Sequence, residues 1–188
     1  MKESITGIIL AGGKSSRMGQ DKAFILFSGR PLIEVVIENL SSLFKNLLII
    51  SNNQSLYAKY EIEVQPDILE GKGPLGGIHA GLHFSKTKYA FVTACDMPYL
   101  NPELVRFLSN ETGDYDVIIP EFRQRLEPLC AIYSSNCIEP IEKHLSSGNL
   151  KITDFISQVN TCVINEKDVR SFDPEGLSFV NINTPEDI

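Results

Sequence analysis

Residues 5–22 read Ile5-Thr6-Gly7-Ile8-Ile9-Leu10-Ala11-Gly12-Gly13-Lys14-Ser15-Ser16-Arg17-Met18-Gly19-Gln20-Asp21-Lys22. The run from Ile5 to Ala11 is short and apolar, the pattern of a strand buried on both faces. It ends in two adjacent glycines, which lack Cβ atoms and let backbone N–H groups approach an anion closely. Lys14, Arg17 and Lys22 then place three of the chain's 17 Lys and Arg within nine residues. A glycine-rich turn carrying solvated basic residues reads the same way in isolation. The neighbouring sequence decides between the two.

Downstream, strand and helix patterns alternate. Leu32, Val35, Val36, Leu40, Leu43 and Phe44 recur at helical spacing after Pro31. Residues 47–51 predict a second buried strand, 78–84 a helix and 89–94 a third strand. Asn101-Pro102-Glu103 combines an N-cap, a first-turn proline and an early acid, so a helix runs from 102 to about 109. The second half is less regular. It predicts strands over 117–120 and 128–133, helices over 138–145 and 152–159, and late edge strands over 161–165 and 179–183. There is no internal repeat, low-complexity tract or linker. The alternation predicts one α/β domain over residues 1–188, a three-layer α/β/α arrangement with a mostly parallel sheet. Ligands of such sheets bind at the carboxyl ends of the strands.

Composition narrows the function classes. The chain has 188 residues and 20.9 kDa, with 43% hydrophobic and 22% charged residues, ordinary values for a globular domain. Its formal charge of −7 argues against a basic nucleic-acid-binding surface and against electrostatic adhesion to anionic lipid. An acidic protein that handles phosphate has to gather its cations locally, as residues 14–22 do. No apolar run approaches the ~20 residues that span a bilayer, and the N-terminal stretch is no secretory h-region. Cys95, Cys130, Cys137 and Cys162 form no C-x-x-C pair, so reduced thiols and a cytoplasmic location are expected.

Several familiar chemistries fail on spacing. A Walker A loop ending at Gly13-Lys14-Ser15 needs its first glycine where Ile8 stands, and Gly7 is one residue too early. The dinucleotide fingerprint G-x-G-x-x-G is absent. His79 and His83 share a helical face, but Ala80 excludes the H-E-x-x-H zinc motif. There is no G-x-S-x-G elbow. Asp96 beside Cys95 disfavours a thiolate there, and Cys130 and Cys137 read as small buried hydrophobes.

The segment LAGGKSSRMGQDKA resembles the opening of nucleotidyltransferases with a GT-A-like Rossmannoid fold. Its form is most similar to that of the MobA-type molybdenum cofactor guanylyltransferases. Pro66-Asp67, Gly73-Pro74-Leu75-Gly76-Gly77, Cys95-Asp96-Met97-Pro98, Glu127-Pro128-Leu129 and Asn181-Ile182-Asn183-Thr184-Pro185 follow in the order of that family. The resemblance therefore covers nearly the whole chain. It implies transfer of GMP from GTP to molybdopterin with release of pyrophosphate. It implies a nucleotide site of Leu10, Ala11, Gly12, Gly13, Lys22, Asp67, Gly76 and Asp96, with Arg17, Lys22 and Asp96 as the catalytic set. It also implies Mg²⁺ on Asp96, and a pterin region holding Arg123, Arg125, Glu127, Asn181 and Asn183. GTP and molybdopterin are the implied partners, with transient contact to molybdoenzymes or cofactor-delivery proteins, and no nucleic acid or membrane.

Each residue has its own chemistry beside that resemblance. Asp96 follows a buried strand, where a carboxylate meets ligands, and hard oxygen ligands suit Mg²⁺; the other reading is a cap of the following turn, and the glycine loop favours the metal. Asp67 can accept paired hydrogen bonds from guanine or from ribose hydroxyls, or be an ordinary loop residue. Residues 73–77 offer a bare backbone to a flat base, or a turn into a helix. Asn181 and Asn183 carry donors and acceptors that suit a pterin edge, Asn183 alternatively assisting the metal, while Thr184-Pro185-Glu186 is a good helix start. A nucleotidyltransferase using CTP or a sugar phosphate, and a non-catalytic nucleotide or cofactor carrier, remain the alternatives.

Overall fold

The computed structural model describes residues 4–12, 22–184 and 187. In chain order it forms β1 (Ile5–Leu10), β2 (Leu26–Phe27), β3 (Arg30–Pro31), α1 (Leu32–Ser41), β4 (Asn46–Ile50), β5 (Glu63–Gln65), α2 (Gly73–Phe84) and β6 (Tyr89–Ala94). There follow α3 (Pro102–Asn110), β7 (Val117–Phe122), β8 (Arg125–Leu126), β9 (Cys130–Ser134), α4 (Ile138–Ser146), α5 (Ile152–Ile156), β10 (Thr161–Ile164) and α6 (Glu166–Phe172).

β1 lies at the centre of the sheet and is buried along its whole length. It pairs in parallel with β4 on one side and β6 on the other, Ile8 facing Leu48 and Val92. The strand order is β10-β7-β9-β6-β1-β4-β5, with β8 hairpinned onto β7 and β2–β3 a separate ribbon. β9 alone on that path runs antiparallel to its neighbours. The sheet is therefore mostly parallel, and β1, β4, β5, β6, β7 and β10 all end at one edge. Chain order reverses between β1 and β6, the switch point at which open α/β sheets open a crevice.

Period-two alternation splits the apolar residues between two cores. Ile5, Ile9, Ile49 and Phe91 face α1, α3 and α6, through residues such as Val36, Leu104 and Val169. Ile8, Leu10, Leu48 and Val92 face α2, α4 and α5, through Ile78, Ile141 and Phe155. Helices on both faces of one sheet make the expected three layers. On the second face α2 and α4 are also joined by His79 Nε2 to Glu142 Oε1 at 2.9 Å, so His79 serves helix packing. No group of three or more metal-ligating side chains occurs among the described residues.

Three sequence expectations change. The helix expected to begin at 78 begins at Gly73, because Gly73 takes φ +62 and Pro74 occupies the first turn, where no N–H is needed. Residues 179–183 are not a strand. A helical turn over Leu177–Phe179 precedes a segment held by Ile182 N–H donating to the Asp96 carbonyl at 2.8 Å. Ile182 is buried between exposed Asn181 and Asn183, which imitates strand alternation without a ladder. The helix expected over 152–159 stops at Ile156, and α6, capped by the Asn165 side chain, is an element the periodicity did not single out.

α2 lies close to β1 because Gly81 has no side chain. A Cβ there would sit 2.7 Å from Cδ1 of Ile8, itself fully buried. Gly81→Ala should therefore lose stability although Ala is the better helix former by roughly 1 kcal/mol. A net loss of about 1–2 kcal/mol in urea unfolding is the expected result.

Candidate active site

The crevice edge is built from strand ends. The ladder of β1 continues one step past its last residue, Ala11 N–H donating to Ile50 O at 2.9 Å and Cys95 N–H to Leu10 O at 3.1 Å. Leu10 and Ala11 are thus buried as framework, and the Ala11 carbonyl accepts the Tyr57 hydroxyl at 3.3 Å. Gly12 emerges exposed, with none of the described residues within 4 Å of where a Cβ would lie. Gly13, Lys14 and Arg17 lie outside the described residues.

β6 delivers Asp96 beside this opening. Its backbone carbonyl is held by Ile182, and its carboxyl group is 3.7 Å from Lys22 Nζ through Oδ2. Oδ1 is buried and has no hydrogen-bond partner among the described residues. Burial raises the Asp96 pKa, and Lys22 opposes that rise. Lys22 Nζ also donates to Oδ1 of Asn183, so Lys22, Asp96 and Asn183 meet in one polar group. The Asn181 side chain is exposed, and its carbonyl receives a long 3.5 Å contact from Asn183 Nδ2.

Asp67 stands just past β5, three strand spacings from β6, roughly 14 Å across the edge. The sequence reading missed its partner, Asn52. Asn52 Nδ2 donates to Asp67 Oδ2 at 3.1 Å while Asn52 Oδ1 accepts the Asp67 N–H at 2.9 Å. The position of Asn52 two residues beyond β4, on the ligand-binding edge, is the signal that would have found it. Partial burial raises the Asp67 pKa, with Asn52 opposing. Gly76 is buried in the first turn of α2, where a Cβ would come within 2.8 Å of Lys72 Cβ. The bare stretch 73–77 is thus helical, packed under the loop before it.

On the other side of β6, the β7–β8 hairpin turns through Arg123 and Gln124 at φ +49 and +61. Glu166 at the start of α6 accepts the Arg123 N–H at 3.1 Å and pins that turn. The chain then passes Arg125 and Glu127 before entering β9 at the same edge, Cys130 facing Thr93. Burial pushes the Glu127 carboxyl up to about 7, against the opposing charge of Arg125. The thiols of Cys130 and Cys137 are buried and their pKa values raised, that of Cys137 to about 12, so both remain thiols.

Comparison with known proteins gives consistent results. Residues 7–162 match the model of the MobA-like NTP transferase domain. A molybdenum cofactor guanylyltransferase of Desulfosudis oleivorans is 38% identical over 188 residues, covering 99% of this chain and 93% of the relative. The crystal structure of molybdopterin-guanine dinucleotide biosynthesis protein A from Archaeoglobus fulgidus superposes with a TM-score of 0.83 at 32% identity. That likeness covers 97% of this chain and 94% of the other.

Glu127 makes stability depend on pH. The folded protein holds its proton up to about pH 7, whereas an unperturbed glutamate releases it near 4.5. Raising the pH through that window ionises a carboxyl the fold disfavours, so this group's contribution to stability falls and the loss is complete above pH 7. Glu127→Gln should raise Tm relative to the parent at pH 8, and the difference should vanish by pH 4.

Proposed function

The chain belongs to the MobA-like NTP transferase family, and from that premise we propose that it transfers GMP from GTP to molybdopterin, releasing pyrophosphate and forming a guanine dinucleotide cofactor. The observation that carries the reading is Asp96. It is a carboxylate only 8% exposed at the β1–β6 switch point, with one oxygen near Lys22 and the other unpartnered among the described residues.

In the reaction, an oxygen of molybdopterin's terminal phosphate attacks the α-phosphorus of GTP. A new P–O bond forms as the bond to the β-phosphate oxygen breaks, and pyrophosphate leaves. The nucleophile is already largely anionic near neutral pH, because the second pKa of a phosphate monoester is about 6. No general base is needed. Catalysis then consists of alignment and charge neutralisation.

The residues divide that work. Gly12, together with Gly13, brings backbone donors to the phosphates. Lys22 neutralises charge as pyrophosphate departs, and Arg17 joins it in the same role. Asp67, oriented by Asn52, reads the base or the ribose at the far end of the nucleotide, with Leu10, Ala11 and Gly76 framing it. Asp96 would hold Mg²⁺, which when bound neutralises phosphate charge. Its orphaned oxygen fits that role, and a single carboxylate suffices because substrate phosphates complete such a shell. Asn181, Asn183, Arg123, Arg125 and Glu127 form the molybdopterin side. The N-terminal half thus serves mainly the nucleotide and the C-terminal half mainly the pterin. The reading carries with it a cytoplasmic location and transient hand-over to molybdoenzymes or delivery proteins. No helix among the described residues is long and apolar enough to cross a membrane.

Thermal-shift screening of GTP, CTP, ATP and UTP with Mg²⁺ tests the nucleotide, since selective binding raises apparent stability by mass action. GTP alone should raise Tm; a shift with CTP and none with GTP would overturn the assignment. Asp96→Ala should lower pyrophosphate release in the presence of molybdopterin by at least about a hundredfold, with a smaller loss of GTP binding. Lys22→Ala should weaken both. Full turnover by the Asp96→Ala protein contradicts the metal assignment.

A further inference from the structure

We propose that Asp187 is a positioning residue for the Lys22–Asp96 pair, acting through Asn183. The proposal rests on the reading of that pair as the phosphate-handling group. Thr184 and Asp187 have the spacing of a capping box, in which an acid three residues on accepts the N–H of the capping residue. Here Asp187 Oδ2 accepts the Thr184 N–H at 2.9 Å and also the Asn183 N–H at 2.8 Å. The Asp187 N–H donates back to Thr184 O at 3.1 Å.

The double acceptance matters because of what Asn183 does. Its Oδ1 receives Lys22 Nζ, and the same ammonium lies 3.7 Å from Asp96 Oδ2. One residue earlier, Ile182 fastens this segment to the Asp96 carbonyl at 2.8 Å. Asn183 is exposed, so core packing does not orient it. Its backbone is fixed from behind by Ile182 and from ahead by the Asp187 carboxylate, and its side chain is thereby aimed at Lys22. The two backbone N–H groups hold the Asp187 carboxyl below the ordinary carboxylate range, so it stays ionised as an acceptor. Without that anchor the peptide of Asn183 is free to rotate, and Lys22 loses the contact that sets its direction.

The test is the rate of amine acylation at Lys22 in the full-length protein, read by peptide mass. It compares the parent with Asp187→Ala, Asp187→Asn, Asn183→Ala and the double variant Asp187→Ala/Asn183→Ala. Labelling should rise about threefold in Asp187→Ala and in Asn183→Ala, as a charge-assisted hydrogen bond is lost. The double variant should label no faster than either single one, because both act on one contact. Asp187→Asn should stay at the parent rate, since an amide oxygen still accepts both N–H groups. In pyrophosphate release with GTP, molybdopterin and Mg²⁺, Asp187→Ala should lose about tenfold in kcat and Asp187→Asn little, with Tm unchanged in both. An unchanged Lys22 rate in Asp187→Ala, or additive effects in the double variant, overturns the proposal. If the labelling pattern holds while the parent releases no pyrophosphate, the positioning role stands and the GMP-transfer reading falls.

Discussion

Everything at the crevice depends on the two parallel ladders of β1. Each ladder bond fixes the height at which a neighbouring strand ends, and β1 shares registers with β4 and β6 at once. Because the hydrogen bonding continues through Ala11 to Ile50 and through Leu10 to Cys95, three strand ends finish level. Gly12, Asn52 and Asp96 are consequences of that alignment. A slip of one residue would turn every side chain of β1 to the opposite core and carry Gly12 away from the edge. The apolar residues that forbid the slip, Ile8 and Leu10 on one face and Ile5 and Ile9 on the other, are therefore also what positions the polar site.

The electrostatics of the crevice follow from scarcity. A chain of net charge −7 cannot attract a triphosphate with its whole surface. On the proposed reading the cations are gathered locally instead, and Lys22 stands beside an acid that is kept from full solvation. Burial raises the proton affinity of Asp96, and Lys22 offsets part of that rise. The second side of the edge uses the same device more strongly at Glu127, where burial outweighs Arg125. Two carboxyl groups on one edge thus differ through their surroundings.

Much of this was legible in the sequence. The β1 pattern, the β6 strand at Tyr89–Ala94 and the Asn101 cap with Pro102 are local signals, and the structure reproduces them with small shifts at the ends. Lys22, Asp67, Asp96 and Asn183 could be named from motif order. The meeting of Lys22, Asp96 and Asn183 could not: Lys22 and Asn183 are 161 residues apart, and no periodicity encodes such a pairing. Asn52 escaped because Ser-Asn-Asn after a strand is ordinary turn composition, and its role arises only when β4–β5 pairing brings Asp67 alongside. Residues 73–77 misled because glycine and proline usually announce a loop, whereas here they begin a helix that must approach its sheet closely. Residues 179–183 misled because one buried anchor, Ile182, gives the same in-out pattern as a strand.

The bond from Ile182 to Asp96 has a consequence for how the protein comes into being. A chain elongated only to Val180 already contains every described strand of the sheet and the six described helices, so both hydrophobic cores can form. It still lacks the N–H that holds the Asp96 carbonyl and the amide that receives Lys22. The Lys22–Asn183 contact joins residues 161 apart in sequence, a costly kind of loop to close. Scaffold and crevice are thereby separable: both cores lie within residues 5–180, and the polar group around Asp96 is complete only with residues 182 and 183. A molecule clipped after Val180 can keep both cores and still lack the contacts that Ile182 and Asn183 make to Asp96 and Lys22.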